Sequence, residues 1–237
     1  MPRAGLTPVV VVAEAARLAD EVGLDRLTLA TLAQRLGVAL PSLYKHVRGL
    51  DALRQKLSAL ATAELAGELA AAAAGRSRGD AVHATAQAYR SYADRHPGRY
   101  QATQRVPDAD DPDHVAAGER AVGTIFAVLR GYGLTGDDAV DATRAFRSAL
   151  HGFVLLEQSG GFGLPVDVDR SFDQMISALE VALRDWPAAA TKETATREAA
   201  TREAARAESA TQQAAKEEVA TTEGAGRGRR QAAQGPK

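Results

Sequence analysis

Cysteine is absent from this 237-residue chain, so disulfide bonds and thiolate metal ligands are excluded. Aromatic residues are scarce, at 5% of the sequence, and charged side chains interrupt every apolar run well before the roughly 20 residues that a membrane-spanning helix needs. In the valine-rich beginning of the chain, for example, Glu14 and Arg17 break the run. We therefore expect a cytoplasmic protein with no membrane segment.

Side-chain patterns that would support catalysis or metal binding are also missing. The five histidines form no pair three or four residues apart, which is the spacing of metal ligands on one helix face. The glycine-rich stretches lack the strand-then-helix setting of a phosphate-binding loop. We expect no catalytic residue, no metal and no cofactor, and a helical enzyme is kept only as an alternative.

The net charge of −1 conceals an uneven distribution of charge along the chain. Residues 1–50 carry six Lys or Arg against four Asp or Glu, residues 51–186 carry 14 against 19, and residues 187–237 carry nine against seven. A basic segment followed by an acidic one is typical of a DNA-binding head on a body that does not bind DNA. Because the basic excess is small, DNA affinity would have to come from a few well-placed groups or from two paired heads.

Helical periodicity dominates residues 8–186, and no segment shows the alternation expected of a strand. The sequence therefore predicts an all-α protein. Beyond the first 50 residues, helices are predicted over 52–73, 81–96, 113–130, 138–157 and 171–186, with a short helical turn near 99–104. Asp51 is predicted to cap the first of these helices, and Asp80 to precede the second.

Residues 27–53 are the most informative part of the sequence, because they predict two short helices joined by a glycine-containing turn. Thr28 stands where a hydroxyl caps a helix N-terminus, and Gly37 follows the last apolar residue of that helix. Pro41 is tolerated in a first turn, so the second helix is predicted from residue 40 or 41 to about Val47. Leu43 and Val47 face inward, and the other side chains are exposed. A protruding helix of this kind fits the major groove of DNA.

Three successive segments within residues 7–55, VVAEAARLADEVGLDRLT, LATLAQRLGV and PSLYKHV, resemble the DNA-binding domain of the TetR family of bacterial transcriptional repressors. The resemblance implies a homodimer that binds double-stranded DNA at a palindromic operator, and a helical body that binds a small-molecule effector. We therefore expect a nucleoid-associated, ligand-responsive repressor without enzymatic activity. A helical small-molecule-binding protein without specific DNA function is the alternative.

Three regions are expected along the chain. Residues 1–50 form a three-helix, helix-turn-helix DNA-binding domain, and residues 51–186 form the effector-binding and dimerisation domain, in which 51–74 is the connecting helix. Residues 187–237 contain only one apolar residue larger than alanine besides proline, Val219, so they cannot bury a core. We expect them to be a disordered, low-complexity tail.

The position of each residue in the resembling motif implies its contact with DNA. Four residues are expected nearest the bases: Ala30, Leu40, Pro41 and Ser42. Four are expected to contact phosphates, with Arg48 as a weaker candidate: Thr28, Tyr44, Lys45 and His46. Many family members carry Lys or Arg where this chain has Leu50, so one phosphate contact is expected to be missing or supplied by Arg48. Because Ala30 and Leu40 are apolar, readout is expected to depend on thymine methyl groups and DNA shape.

Aromatic and polar side chains on the middle helices are the candidates for the effector pocket. The predicted pocket residues are Tyr89, Tyr92, Phe126, Phe146, Arg147 and His151, with Tyr100 and Phe153 as further candidates. An aromatic side chain at helical spacing is more often part of a core than of a ligand site, so core packing is the alternative for each. The last two predicted helices are apolar enough to be buried on two sides, as an interface between two copies would provide.

Overall fold

Helices account for all the regular secondary structure in the residues that the computed structural model describes, which are 6–107, 109–186 and 200–201. The α-helices are α1 (Pro8–Val22), α2 (Leu29–Leu36), α3 (Leu40–Leu43), α4 (Leu50–Ala73), α5 (Arg78–Arg95), α6 (Pro97–Ala102), α7 (Pro112–Arg130), α8 (Gly136–Gln158) and α9 (168–186), and a short 3₁₀ helix (Leu24–Arg26) lies between α1 and α2. Within these ranges no helix has the length and apolar content to cross a membrane. The predicted all-α class is confirmed, and the predicted tail lies outside the described residues except for 200–201.

Two hydrophobic cores are joined by α4. The head core packs α1, α2 and α3 around the first half of α4, which contributes Leu53 and Leu57. The body core packs α5, α7, α8 and α9 against the second half of α4, which contributes Leu65 and Leu69. One continuous helix is therefore part of both cores.

The first turn of α4 differs from the sequence prediction. Gly49, with φ of 135°, precedes the helix and provides no side-chain cap, whereas Asp51 lies inside the first turn. The Asp51 carboxylate instead accepts a hydrogen bond from Arg105, 2.7 Å away. The predicted cap was wrong because a distant arginine takes the carboxylate that the local pattern assigned to the helix end.

The starts of the helices after α4 also differ by one to three residues from their predicted positions. α5 begins at Arg78 after Ser77, so Asp80 lies in the first turn instead of preceding the helix. α7 begins at Pro112, and the carboxylate of Asp111 accepts the His114 N–H at 3.1 Å as the helix cap. Such shifts are typical of helix ends, where several neighbouring polar residues compete for the cap position.

Helix α6 attaches the body directly to α1 of the head. Asp20 accepts a hydrogen bond from the Arg99 backbone at 2.8 Å and pairs with the Arg99 side chain at 3.0 Å. Arg99 in turn pairs with Glu64 of α4 at 3.2 Å. A Cβ placed on Gly98 would lie only 2.1 Å from the Ala19 carbonyl oxygen, so the two helices approach each other backbone to backbone.

Arg90 of α5 contacts both α8 and α9, and these three helices carry most of the aromatic residues of the body. Its guanidinium pairs with Glu157 of α8 and, at 2.7 Å, with Asp169 of α9. The same group stacks 4.8 Å from the centre of the Phe172 ring. A planar guanidinium can form both contacts at once, so α5, α8 and α9 are held in a single arrangement.

Candidate nucleic-acid interface and ligand cavity

Helix α2 is fixed by a cap at its beginning and an ion-pair cluster near its end. The Thr28 hydroxyl accepts the Thr31 N–H at 3.1 Å, and the Thr31 hydroxyl accepts the Thr28 N–H at 3.1 Å, so the predicted cap is confirmed. Near the other end Arg35 binds Glu21 through two hydrogen bonds of 2.6 and 2.7 Å and Glu14 through one of 3.0 Å. The hydrogen bonds from Arg35 lower the pKa of Glu21. Both glutamates belong to α1, so α2 is clamped to it.

The turn after α2 sets the direction of the next helix. Gly37 adopts a left-handed conformation with φ of 66°, which a residue with a Cβ rarely adopts. Its N–H and that of Val38 donate to carbonyls in the last turn of α2. Val38 is half-buried against the head core. The predicted glycine turn is confirmed, and it projects α3 away from α2.

Helix α3 is shorter than predicted. Only Leu40–Leu43 is α-helical, with Pro41 in the first turn. The chain continues as a turn, in which His46 and Val47 donate to the Leu43 carbonyl at 2.8 and 3.0 Å. Leu43 is 0% exposed and Val47 2% exposed, as predicted. Both side chains therefore reach the head core, although the α-helix ends at Leu43.

Residues 40–48, which we call the recognition segment, contain most of the predicted DNA contacts. Of the nine residues predicted to contact DNA, seven are exposed and two are half-buried. The exposed ones are Thr28, Ala30, Leu40, Pro41, Tyr44, Lys45 and Arg48, and the half-buried ones are Ser42 and His46. Neither Lys45 nor Arg48 takes part in an ion pair within the described part of the chain. Their charges are available to a phosphate backbone, and the contacts themselves stay predictions.

A cavity of about 260 Å³ lies inside the body, between α4, α5, α7, α8 and the segment after α6. Three of the six predicted pocket residues line it: Tyr89, Phe146 and Arg147. The other three lie elsewhere. Tyr92 is fully buried, with its hydroxyl 3.1 Å from the Ala61 carbonyl oxygen. Phe126 packs half-buried against the body core, and His151 lines a separate cleft beside α6.

The polar end of the cavity is continuous with a chain of hydrogen bonds through the body. The Tyr89 hydroxyl lies 3.0 Å from the Tyr100 hydroxyl, which lies 2.6 Å from Nδ1 of His151. Burial raises the pKa of both tyrosines. Burial, followed by the positive charge of Arg147, lowers the pKa of His151, so a neutral imidazole is favoured. Arg147 donates to the Gln104 side chain at 3.2 Å.

A buried polar contact between α7 and α4 escaped the sequence analysis. His114, which lines the cavity, is 0% exposed, and its Nε2 lies 3.2 Å from the Ser58 hydroxyl. Ser58 is also 0% exposed and donates to the Ala102 carbonyl of α6 at 2.8 Å. In the sequence, the only sign of this contact was a serine between Leu57 and Leu60 in the predicted connecting helix.

Sequence relatives of the chain are transcriptional regulators. Residues 82–179 match the family model described as the C-terminal domain of Tetracyclin repressor-like proteins. The chain is 44% identical over 165 residues to an uncharacterized HTH-type transcriptional regulator of Mycobacterium tuberculosis, covering 69% of this chain and 75% of that protein. It is 32% identical over 167 residues to the uncharacterized HTH-type transcriptional regulator YobS of Bacillus subtilis, covering 70% and 87%.

Solved structures share the arrangement of helices. A TetR variant from Acinetobacter baumannii AYE, crystallised in complex with minocycline, is 25% identical with a TM-score of 0.60, covering 77% of this chain and 98% of that one. Apo ActR from Streptomyces coelicolor is 24% identical with a TM-score of 0.59, covering 76% and 96%, and supports the fold. Together with the sequence relatives and the helix-turn-helix geometry, these likenesses show that the chain belongs to the TetR family of DNA-binding transcriptional regulators.

Proposed function

We propose that two copies of the chain place their recognition segments in successive major grooves of a palindromic operator and repress transcription by occupying it. The observation that carries this proposal is the exposure of apolar side chains in that segment. Tyr44 is 56% exposed and Leu40 37% exposed, and between them α3 contributes only Leu43 to the core. In a DNA-binding protein such side chains meet the groove wall and the thymine methyl groups.

Affinity comes from a small number of charges. Lys45 and Arg48 supply the positive charge of the recognition segment, and Leu50 is half-buried against the head core and contributes none. Each phosphate contact adds counterion release, so binding weakens as salt rises. Two such charges per head give modest affinity, and joining two heads multiplies it.

The dimer interface is formed by α8 and α9. Leu155 and Leu156 of α8 are 55% and 50% exposed, and Val181 of α9 is 50% exposed. Large aliphatic side chains exposed on two helices are typical of surfaces that a partner covers, and a stable interface needs about 800 Å² from each partner. A second copy of the chain places its own α8 and α9 there, which gives the two-fold symmetry that a palindromic operator requires.

The ligand response acts through α4. The cavity wall includes His114, which contacts Ser58, and Arg105, which contacts Asp51 and Gln55. Ser58, Asp51 and Gln55 all lie in the first half of α4, before the residues that α4 contributes to the body core. A ligand that displaces either wall residue moves this half of α4 and changes the spacing of the two heads. Heads at the wrong spacing cannot occupy both half-sites.

The proposal is tested with the full chain and an operator selected from a random pool of double-stranded DNA. We expect a palindrome with half-site centres about 34–36 Å apart or a multiple of that distance. Lys45→Gln should reduce the slope of log affinity against log salt by about 1 per head. Tyr44→Ala should weaken binding without lowering the melting temperature, because Tyr44 is exposed. Arg144→Gln, which removes one positive charge from α8, is the matched control and should change neither the salt slope nor the affinity for DNA.

The oligomeric state is measured on the same protein by light scattering. The wild type should be a dimer, and the double variant Leu155→Arg and Val181→Arg should be a monomer that has lost tight binding to the full palindrome. Val9→Arg, at a residue that is 77% exposed on α1, is the control and should remain dimeric. Failure to select any DNA sequence, or a monomeric wild type, would contradict the proposal.

A further inference from the structure

The ligand cavity is positively charged on one side and carries no negative charge in its described wall. Two arginines line it, Arg105 and Arg147, and none of the described lining residues is Asp or Glu. Arg105 is already neutralised, because it pairs with Asp51 at 2.7 Å and donates to Gln55 at 2.6 Å. The net charge of the wall therefore comes from Arg147.

Arg147 has no acidic partner among the residues of the described ranges. Its guanidinium donates a hydrogen bond of 3.2 Å to the neutral Gln104 side chain. Arg147 is an exposed residue of the cavity wall, so most of the five N–H donors of its guanidinium remain for water or a ligand. Tyr89 and Gln104 stand beside it in the same wall, and together the three form one polar end of the cavity.

Two threonines in the wall provide a second observation that points to a polar ligand atom. The buried hydroxyls of Thr62 and Thr143 have no hydrogen-bond partner among the residues that the structure describes. In contrast, Thr85 on α5 bonds its hydroxyl to the Ala81 carbonyl at 2.7 Å, as helical threonines can. A buried hydroxyl without a partner is costly, and rotation about one bond would let each of these two serve a bound molecule.

The rest of the wall is apolar, with Leu65, Ile125 and Phe146 among its members. A volume of about 260 Å³ is just below the roughly 300–1,000 Å³ that is usual for clefts holding drug-sized molecules. The occupant is therefore small, mostly apolar and charged at one end.

We propose that the effector is a small amphipathic organic acid, whose single carboxylate pairs with Arg147 and whose apolar part lies against Leu65, Ile125 and Phe146. The pairing is of the bidentate guanidinium–carboxylate kind, which fixes orientation as well as charge. A cationic ligand would instead meet the charge of Arg147, with no acidic residue in the described wall to offset it. The inference rests on the proposed ligand response, and it adds the chemical class of the ligand.

The test is calorimetric titration of the full chain, without DNA, with straight-chain carboxylates from butanoate to decanoate and with their primary amides and amines. The best carboxylate should bind at least about ten-fold more tightly than its amide, since a hydrogen-bonded charge contributes roughly 1.5–3 kcal/mol. The amine should bind most weakly. Arg147→Gln should bring the ratio of carboxylate affinity to amide affinity close to one, and Arg147→Lys should restore part of the preference for the carboxylate. Arg144→Gln, one turn away on the same helix, should leave the ratio unchanged.

Location in the cavity is tested separately by filling it. Ala121→Phe places a ring in the cavity and should abolish carboxylate binding while the melting temperature shows that the variant is folded. The inference is overturned if amides or amines bind as tightly as the acids, if no acid of the series binds, or if Arg147→Gln leaves the ratio intact. Operator binding measured without ligand separates the two proposals. DNA binding without carboxylate binding refutes only the ligand class, whereas carboxylate binding that leaves the operator occupied refutes only the ligand response.

Discussion

Replacing Gly98 with alanine should destabilise the junction between head and body strongly. The added Cβ would lie 2.1 Å from the Ala19 carbonyl oxygen and 2.6 Å from the Asp20 nitrogen. Both atoms belong to the backbone of α1, so no side-chain rotation can relieve the clash. An ordinary contact needs 3.4 Å or more, and α1 and α6 would have to separate by roughly 1 Å to reach it.

The expected cost is at the upper end of the range for overpacking. Inserting a methyl group into a packed site costs about 1–3 kcal/mol, and more where the backbone must move, so we expect about 3 kcal/mol for Gly98→Ala. For a chain of this size that corresponds to a melting temperature lower by about 6–12 °C. Gly67→Ala is the matched control, because nothing lies within 4 Å of a Cβ at this exposed position inside α4. It should stabilise the protein by about 0.5–1 kcal/mol.

Both variants are measured by thermal and urea denaturation monitored by circular dichroism. The opposite signs of the two glycine-to-alanine changes are the decisive result, because helix propensity favours alanine at both positions and only steric contact separates them. If Gly98→Ala melted within about 1 °C of the wild type, the close approach of α1 and α6 would be refuted.

Two further predictions concern the cap of α2 and the protonation of His151. Thr28→Ala should lower the free energy of unfolding by about 0.5–2 kcal/mol, because it removes the acceptor of the Thr31 N–H. Thr124→Ala, where the hydroxyl bonds only within its own helix, should be close to neutral in the same urea titration. The pKa of His151 should lie below its ordinary 6.5 in the folded chain, so the unfolded chain takes up this proton more readily and stability falls as pH drops below about 6.5. NMR titration should show this pKa rising in Arg147→Gln but staying below 6.5, since burial is the larger cause; an unshifted pKa in the wild type would contradict the assignment.

The helix-turn-helix was predictable because each of its signals is local. Thr28 caps α2 through the N–H three residues later, Gly37 takes a conformation that other residues avoid, and Pro41 fits a first turn. None of these effects requires a distant partner. The end of α3 was the exception, because residues 44–48 contain no glycine or proline that would mark it in the sequence.

The ligand cavity could be predicted only in part. The sequence pointed to aromatic residues on the middle helices, and Tyr89, Phe146 and Arg147 do meet at one wall. Periodicity cannot say which buried aromatic faces a void and which faces another side chain, so Tyr92 and Phe126 were chosen on the same grounds although they pack in the core. The unpaired hydroxyls of Thr62 and Thr143 carry no signal in the sequence, because a missing partner is a property of the assembled helices.

The sequence alone determined the helical class, the helix-turn-helix with its glycine turn, and the family. These features depend on residue order and on effects that act within one or two turns of a helix. Tertiary structure decided which partner each polar group finds. Asp51 pairs with Arg105 instead of capping a helix, and His114 of α7 contacts Ser58 of α4. Arg147 lines the cavity without an acidic partner in the described chain. Such pairings depend on distances between residues far apart in sequence, and those distances exist only once the helices have packed.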